Sequence, residues 1–401
     1  MIKSINKTKC NIMLILLLGV FLASNIIAYA YTDGAITSIP TGTTNESSKY
    51  YWVKSSAQNL LVSNDPETIG TSTAWEGNGI FCKDTGINRN GNFRVFWSHK
   101  NKTGHTKYIG MAIYNNTGKT ISVDYGKKAF TVSTPDNNGY HSGGDLVENW
   151  FKSTNTSEMD VSSLANKAYT YKSFQIPDSQ WGMGLCDVQI KDASGNLVTG
   201  GITVKIFSSS TSDPKTVLAN DQLFTRYNSS TNPESLRRAR YTYATKTLSN
   251  NFYSGKEEYY FRGGVNSQLA FLSIKNMTIP GNPLYTPLPT NDLDVGGIDE
   301  SDGNLPAINQ GSYGMDLYFS VQPTSNVAYI LTPSQILPDG YPHIVVVRVI
   351  KNGNVSYVRK NLKDKNESVV LATGKSGDVI RFATMLAPND GAPFKISVVK
   401  N

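Results

Sequence analysis

The sequence has few of the side chains that most enzymes use for catalysis. Its 401 residues include four histidines and three cysteines. It contains neither the His-Glu-x-x-His motif of zinc peptidases nor the Gly-x-Ser-x-Gly elbow of serine hydrolases. His99 and His105 flank a turn at residues 100–104, where we expect them at the surface. The sequence therefore predicts no catalytic residue and no zinc site.

Long apolar runs are also missing, except near the N-terminus. The run Ile12–Ile27 follows three lysines and precedes Ala28-Tyr29-Ala30. This order is typical of a secretory signal peptide that is cleaved after a small residue. No later window approaches the roughly 18 apolar residues that a membrane helix needs. We expect a secreted, extracellular protein without a transmembrane segment, held at the cell wall, if at all, by non-covalent contacts.

Charge and cysteine content limit which partners and which covalent bonds the protein can have. Without the three leader lysines, 35 basic residues face 31 acidic ones. This mild positive surplus suits contact with anionic wall polymers, but it is too small for a nucleic-acid-binding surface. Two cysteines remain after cleavage, Cys82 and Cys186. In a secreted chain they form either a disulfide bond or two buried thiols, and both alternatives stay open.

Alternation of apolar and polar residues dominates the rest of the chain. It occurs in Ile121–Tyr125, in Ile202–Ile206 and in Phe394–Val398, and this period of two predicts half-buried strands. Asn352-Gly353 between two such runs predicts a tight hairpin turn. Within residues 144–152, apolar side chains spaced four apart predict a short helix. The fold class we expect is all-β, with two β-sandwich-like units, one short helix and long loops.

Changes in composition suggest where these units begin and end. We expect a signal peptide at 1–30, a flexible lead-in at 31–48, an N-terminal β-sandwich at 49–208, a linker at 209–235, and a C-terminal β domain at 236–401 that contains a long loop at 277–312.

Two groups of residues are candidates for ligand binding. Trp52 and Trp75 lie in polar surroundings and offer flat rings for stacking on sugars, although a core position is the alternative for any tryptophan. The basic run Arg237, Arg238 and Arg240, followed by Tyr241, would contact an anionic polymer if one strand placed alternate arginines on one face. An ordinary solvated edge strand explains the same run.

An acidic segment raises the question of calcium. Asp292, Asp294 and Asp299 belong to a stretch rich in oxygen ligands, which calcium prefers. Their spacing does not match an EF-hand, because Gly296 and Gly303 stand where acidic ligands belong. A solvated loop is the alternative, and no other cofactor is predicted.

Several segments together resemble one group of proteins. These segments are Leu60–Glu67, Arg94–His99, Tyr108–Asn116, Ile202–Phe207, Gly311–Met315 and Gly377–Ile380. They are similar to the N-terminal region of secreted Firmicutes proteins that often end in a copper-amine-oxidase-like stalk domain. The stalk domain has no counterpart here, so the resemblance implies neither copper nor amine oxidation. It implies a secreted, β-rich envelope protein of a Gram-positive bacterium.

The function that we expect is therefore non-catalytic. The protein would act in the cell envelope as a structural protein or as a binder of glycan or wall polymer, with no nucleic-acid partner. Two alternatives remain. One is a hydrolase acting on polysaccharide or wall through paired carboxylates, which sequence alone does not locate. The other is a self-associating subunit of a surface layer or appendage, joined through edge strands.

Overall fold

The computed structural model describes most of the chain after residue 30. The described residues are 31–38, 44–45, 52–54, 58–70, 77–133, 140–153, 160–224, 238–241, 244–248, 257–261, 295–302, 305–309, 313–323, 325–333, 343–364, 367–385, 387 and 394–401. The predicted signal peptide lies outside them. Within these residues, no helix is long and apolar enough to cross a membrane.

Strands dominate the described residues, as predicted. The first thirteen are β1 (Ile36–Ser38), β2 (Thr44–Asn45), β3 (Trp52–Lys54), β4 (Asn59–Ser63), β5 (Thr68–Gly70), β6 (Gly79–Asp84), β7 (Asn92–Lys102), β8 (Lys107–Asn115), β9 (Ile121–Val132), β10 (Val161–Leu164), β11 (Tyr169–Ile176), β12 (Trp181–Asp192) and β13 (Ile202–Ser209). Two helices accompany them, α1 (Tyr140–Lys152) and α2 (Lys215–Asn220).

The remaining strands belong to the C-terminal half. They are β14 (Arg238–Tyr241), β15 (Thr245–Leu248), β16 (Glu257–Phe261), β17 (Val295–Asp299), β18 (Leu305–Asn309), β19 (Asp316–Val321), β20 (Val327–Pro333), β21 (His343–Lys351), β22 (Asn354–Leu362), β23 (Glu367–Gly374), β24 (Ile380–Thr384) and β25 (Phe394–Lys400). A 3₁₀ turn, Glu300–Asp302, follows β17.

These strands form four sheets, which we number in the order in which they stack. Sheet I has the order β11-β8-β13-β6, and sheet II the order β10-β9-β12-β7-β4-β14-β17-β18, with β5 beside β7. Sheet III has the order β22-β21-β24-β19-β15-β3, and sheet IV the order β1-β23-β20-β25-β16-β2. Most neighbouring strands are antiparallel, while β4 and β5 run parallel to β7.

The first hydrophobic core lies between sheets I and II. The alternate residues of Ile121–Tyr125 enter it from β9, and those of Ile202–Ile206 enter it from β13. None of these six side chains is more than 1 % exposed. Removing such a side chain from water stabilises the fold by about 1.5–3 kcal/mol, so the predicted alternation positions both sheets.

A second core joins sheet II to sheet III. Helix α1 is part of it, because Leu146 and Trp150 pack there together with Leu185 of sheet II and with Ile344 and Val346 of sheet III. The helix begins four residues earlier than the predicted segment 144–152 and ends where predicted. Two sandwiches therefore share this core through their facing sheets.

The third core lies between sheets III and IV. Val347 and Val349 of β21 enter it, as do Ile396 and Val398 of β25, which alternate as predicted. The outer face of sheet IV carries a small cluster against which Tyr31 packs. Residues 31–38 are therefore not the flexible lead-in that composition suggests, because β1 pairs with β23.

Strands from beyond the predicted linker also enter the N-terminal sheets. β14 pairs with β4, and β17 and β18 continue the same sheet. Within the predicted linker at 209–235, α2 packs on sheet I through Leu218. Residues 225–237 and most of the predicted loop 277–312 lie outside the described residues.

Two turns of the first sandwich repeat one local motif, Asn-x-Thr-Gly. The side-chain oxygen of Asn101 accepts hydrogen bonds from the N–H and the hydroxyl of Thr103, at 3.1 and 2.8 Å. Asn115 accepts the same two bonds from Thr117, at 3.0 and 2.7 Å. Each asparagine amide then donates to the carbonyl four residues on and to the end of another strand. Both asparagines are fully buried.

The hairpin predicted at Asn352-Gly353 is present. Lys351 pairs directly with Asn354, so the turn has two residues. Asn352 has φ of 50° and Gly353 has φ of 87°. Two positive φ values in succession are the requirement of a type I′ turn, which asparagine tolerates and glycine adopts without strain.

We predict that Asn115→Ala destabilises the protein by about 2–3 kcal/mol, because the substitution leaves buried polar groups without their partner. Asn116→Ala is the matched control, since Asn116 is exposed and its loss should cost less than about 0.5 kcal/mol. Urea unfolding of both variants measures the difference. Equal stability of the two variants would show that the motif contributes nothing.

Candidate functional site

The outer face of sheet I carries four tyrosines, which lie on two of its four strands, β8 and β11. Tyr169 lies directly opposite Tyr114, and Gln175 lies opposite Tyr108. Tyr171 follows Tyr169 by two residues and therefore points to the same side. All four tyrosines are half-buried. We call Tyr108, Tyr114, Tyr169 and Tyr171 the tyrosine face.

Neighbouring groups hold these rings in place. The ring centroids of Tyr114 and Tyr169 are 4.6 Å apart. The ammonium of Lys205 donates to the Tyr169 hydroxyl at 3.0 Å and to the Leu218 carbonyl at 2.9 Å. Tyr171 contacts Phe207 edge to face. Fixed rings lose little side-chain entropy when a ligand binds to them.

Helix α2 borders the tyrosine face. It packs over β13 and β6, and its Leu218 belongs to a cluster with Ala112 of β8, against which Tyr169 and Tyr171 of β11 also pack. Ser173 and Gln175 point to the same side of β11 as its two tyrosines, and Gln175 is exposed. Aromatic rings beside amide and hydroxyl groups are the combination that recognises a ligand with both apolar and hydroxyl-bearing surfaces.

Our reading of the sequence missed this face, although a signal was present. Tyr169-Thr170-Tyr171 has the alternation of a strand with one aromatic side. Tyr108 and Tyr114 have matching parity within β8. What the sequence does not contain is the pairing of β8 with β11, which brings together tyrosines that are at least 55 residues apart in the chain.

The three tryptophans whose side chains the structure describes are buried. Trp97, Trp150 and Trp181 are at most 7 % exposed. Of the two candidates, Trp75 lies outside the described residues, and Trp52 lies in β3, where only its backbone is described. Sugar stacking on Trp52 or Trp75 therefore stays a prediction.

The basic run has a different role from the one expected. β14 places Arg238 and Arg240 on one face, but that face is buried, with 3 % and 6 % exposure. Arg238 donates to the Asp299 carboxylate at 3.0 Å. Tyr241 is fully buried in the core between sheets II and III. This corrects the expectation of an exposed surface for anionic polymers, and Arg237 lies outside the described residues.

Arg240 of β14 contacts two carboxylates, one at the end of β6 and one in the 3₁₀ turn after β17. It donates to Asp84 at 3.0 Å and to Glu300 at 2.7 Å. Burial, opposed by Arg240 and assisted by Glu300, raises the pKa of Asp84 to about 6. Partial burial also acts to raise the pKa of Glu300, but hydrogen bonds from Thr85 and Arg240 lower it overall.

This acid pair does not form an open catalytic pair. Asp84 is 1 % exposed, and the Arg240 guanidinium contacts both carboxylates. Gly86 packs so tightly that a Cβ there would lie 1.7 Å from an Arg240 nitrogen. A glycosidase needs space for a sugar between its two acids, whereas the space here contains an arginine.

Only one of the three aspartates in the predicted calcium site belongs to the described residues. Asp292 and Asp294 lie outside the described residues. Asp299 is fully buried, forms an ion pair with Arg238 and accepts the N–H of Ser301 at 2.9 Å. Its carboxylate therefore faces a guanidinium. Among the described residues, no group of three or more histidine, cysteine, aspartate or glutamate side chains could hold a metal ion.

Cys82 and Cys186 are free, buried thiols, so the disulfide alternative is wrong. Cys82 lies in sheet I and Cys186 in sheet II, and both side chains pack in the core between them. Burial raises the pKa of each thiol. These cysteines therefore behave as small hydrophobic residues.

His99 also differs from the expectation, whereas His105 is exposed as predicted. His99 is fully buried, its ring stacks on Phe81, and its nitrogens contact the Ser63 hydroxyl at 3.0 Å and the Pro66 carbonyl at 2.8 Å. Burial lowers the pKa of His99 to about 3. The imidazole is therefore a neutral structural group, closed off from substrate.

The contact between sheets II and III contains a buried ionic network. Arg94 of β7 donates to both oxygens of Asp187, at 2.7 and 3.2 Å, and to Asp316 at 3.1 Å. It also donates to the carbonyls of Gly314 at 3.1 Å and Ala244 at 3.3 Å. Burial acts to lower the pKa of Arg94, but the two carboxylates raise it overall. Arg94 thus stays charged inside the protein.

Helix α1 is part of the same network. The Trp150 indole N–H donates to Asp316 at 2.7 Å, and the Tyr318 hydroxyl donates to it at 3.2 Å. The Arg94 guanidinium lies 4.5 Å from the centroid of the Trp150 ring. One aspartate at the start of β19 thus links sheet II, sheet III and the helix.

Comparisons with known proteins identify no family. No family model matches the chain, and no curated protein matches it. Solved structures overlap only weakly. The human MASP-1/3 CUB1-EGF-CUB2 domain is 9 % identical, with 79 % of this chain and 98 % of that chain covered and a TM-score of 0.18. The CBM22-1-CBM22-2 tandem domain of Paenibacillus barcinonensis Xyn10C is 11 % identical, with 93 % and 99 % covered and a TM-score of 0.15. Overlaps this low carry no argument about function.

We predict that Arg94→Met destabilises the protein by about 3–5 kcal/mol, because it leaves the buried Asp316 and the half-buried Asp187 without their cation. Arg381→Met is the matched control, since Arg381 is exposed on β24, and it should cost less than about 0.5 kcal/mol. Guanidinium unfolding, followed by near-UV circular dichroism, measures both. A loss below about 1 kcal/mol in Arg94→Met would contradict the structural role of the network.

We predict that Asp84 makes the protein less stable as the pH rises from 4 to 6.5. Its folded pKa of about 6 lies above the unfolded value, so between the two values the folded state binds a proton that the unfolded state releases. In Asp84→Asn this decline should shrink by about 2–3 kcal/mol. The measurement is the free energy of unfolding at each pH.

Asp213→Asn is the control for this experiment. Hydrogen bonds and the charge of Lys215 lower the pKa of Asp213. The contribution of Asp213 to the free energy of unfolding is therefore lost only at lower pH. The wild-type slope between pH 4 and 6.5 should therefore persist in this variant. A slope that is the same in Asp84→Asn and in the wild type would refute the raised pKa.

Proposed function

We propose that this protein is a non-catalytic, secreted glycan-binding protein of the cell envelope and that the tyrosine face contacts the polysaccharide. The observation that carries the proposal is the placement of Tyr108, Tyr114, Tyr169 and Tyr171 on one outer sheet face, each half-buried. A sugar ring has an apolar face that stacks on an aromatic ring, and hydroxyls that bind amides and serines at its edge.

The geometry supports extended rather than single-sugar binding. The tyrosines lie on two neighbouring strands, β8 and β11, and neighbouring strands of a sheet are about 4.8 Å apart. Tyr108 and Tyr114 are six residues apart in β8, a distance of about 20 Å along the strand. A flat face of this length suits several sugar units of a chain, with Ser173 and Gln175 as hydrogen-bonding partners.

Electrostatics favours stacking over charge attraction. Arg238 and Arg240, the arginines predicted to bind an anionic polymer, are each paired with a buried carboxylate. They are therefore not free to bind wall phosphates. We expect binding that depends little on salt, because exposed ion pairs weaken with ionic strength whereas aromatic contacts do not.

Secretion supports an envelope role. The leader at 1–30 and the resemblance to secreted Firmicutes proteins remain predictions from sequence, and they agree with a polysaccharide ligand outside the cell. The hydrolase alternative gains no support from Asp84 and Glu300, because Arg240 lies between them.

We predict that Tyr114→Ala combined with Tyr171→Ala lowers binding to isolated Gram-positive cell walls at least tenfold, because each lost stacking contact costs roughly 1 kcal/mol. Tyr114→Phe, which retains the ring, should bind like the wild type. Co-sedimentation at low and high salt, with and without teichoic acid, measures the bound fraction.

The matched control is Tyr31→Ala. Tyr31 is also half-buried, but it lies on the outer face of sheet IV, at the other end of the stack. Its removal should leave wall binding unchanged. If all variants bind as the wild type does, or if binding disappears at high salt, the tyrosine face is not the binding surface.

A further inference from the structure

A β-bulge in sheet II redirects one lysine into the contact between the two sandwiches. The pairing of β12 with β9 shifts between Cys186 and Val188, so Asp187 faces the extra residues Gly126 and Lys127. Before the bulge, Tyr125 points into the core between sheets I and II. After it, Lys127 points to the opposite side, towards helix α1. Bulges often redirect a side chain in this way beside functional sites.

Lys127 ends over aromatic rings instead of beside an acid. Its ammonium is 4.1 Å from the centroid of the Trp150 ring and 5.1 Å from that of Phe151. No carboxylate of the described residues lies within ion-pair distance of it. The lysine is half-buried, and burial is the main cause that lowers its pKa, to about 8.

A second cation, which has no acidic partner among the described residues, lies on sheet III. Arg348 of β21 lies opposite Tyr357 of β22 and Ala383 of β24, and Ala383 lies opposite Tyr318 of β19. These four residues form one row across the face of sheet III that contacts sheet II. The Arg348 Nε atom is buried without a hydrogen-bond partner in the described part of the chain.

Contacts place the two cations in the same region of the interface. Tyr357, which lies opposite Arg348, donates to the Phe151 carbonyl at 3.1 Å, and Lys127 lies over the Phe151 ring. The charges of Arg94, Asp187 and Asp316 also act on Lys127, and Arg94 pairs with both of these carboxylates. The five side chains together carry one positive charge in excess. An anion bound between the two cations would offset this excess and favour their charged forms.

We infer that Lys127 and Arg348 form a binding site for an oxyanion, a carboxylate or a phosphate, between sheets II and III. Arg348 supplies a planar donor fork and Lys127 a point charge, which is the usual pair for such groups. Tyr318 and Tyr357 border the row on both sides, so the neighbouring surface suits a sugar or glycerol unit that carries the anion. This inference does not rest on the tyrosine face.

The test is calorimetric titration of residues 31–401 with inorganic phosphate and, separately, with galacturonate, at constant ionic strength maintained with chloride. We expect binding in the wild type and at least tenfold weaker binding in Lys127→Met and in Arg348→Met. Lys128→Met is the matched control, because it removes the same charge one residue away, where Lys128 instead pairs with Asp160. It should bind like the wild type.

The two probes distinguish the source of the anion. Binding of phosphate alone points to phosphodiester polymers, and binding of galacturonate alone points to acidic polysaccharide. Tyr114→Ala should leave both titrations unchanged, which separates this site from the proposed glycan surface. Equal affinities in the wild type, Lys127→Met and Arg348→Met, or no binding of either probe to the wild type, would overturn the inference.

A second readout needs no variant. Acetic anhydride acetylates neutral amines, and mass spectrometry of the digested protein measures the rates at Lys127 and at the exposed Lys128. A saturating anion should slow acetylation of Lys127 at least threefold and leave Lys128 unchanged. If the anion does not change the rate at Lys127, the site is refuted even where a substituted protein fails to fold.

Discussion

Arg94 donates all five of its N–H groups inside the contact between sheets II and III. A buried guanidinium is tolerated only when each donor has an acceptor, because desolvation costs several kcal/mol per ion. The acceptors come from β12, from the first residue of β19 and the segment before it, and from the residue before β15. Sheet III can therefore satisfy Arg94 only in one position relative to sheet II.

Much of the structure follows from that constraint. Asp316, held by Arg94, accepts the Trp150 indole N–H and so fixes helix α1 between the sheets. The helix then fills the second core with Leu146 and Trp150. Sheets II and III face each other, so the outer faces of sheets I and IV are not covered by another sheet of the described residues. Tyr31 packs on the outer face of sheet IV, whereas the tyrosine face, for which we propose polysaccharide binding, lies on the outer side of sheet I.

Local pattern predicted local structure well. The alternation in Ile121–Tyr125, the helix near Trp150 and the Asn352-Gly353 turn were all read from neighbouring residues. The same reading does not extend past Tyr125, because a bulge changes the parity without any mark other than Gly126. Composition left a disulfide bond and two buried thiols as alternatives, and only the packing of Cys82 and Cys186 as free thiols decides between them.

Long-range pairing explains the errors about the site. Arg238 and Arg240 alternate as a solvated edge strand would, yet β14 pairs with β4 on one side and β17 on the other, so it is a central strand. Asp84, Asp299 and Glu300, which neutralise these arginines, come from distant segments. The tyrosine face likewise requires the pairing of β8 with β11, whereas tryptophan content directed attention to Trp52 and Trp75.

Ultraviolet difference spectroscopy, recorded while soluble wall polysaccharide is added, tests the central functional claim most directly. Tyrosine and indole absorb in separable bands, and a ring that stacks on sugar changes its band. The tyrosine face predicts a perturbed tyrosine band that disappears in the Tyr114→Ala, Tyr171→Ala double variant, with the indole band unchanged. A perturbed indole band that persists in this variant would contradict the account and assign binding to Trp52 or Trp75.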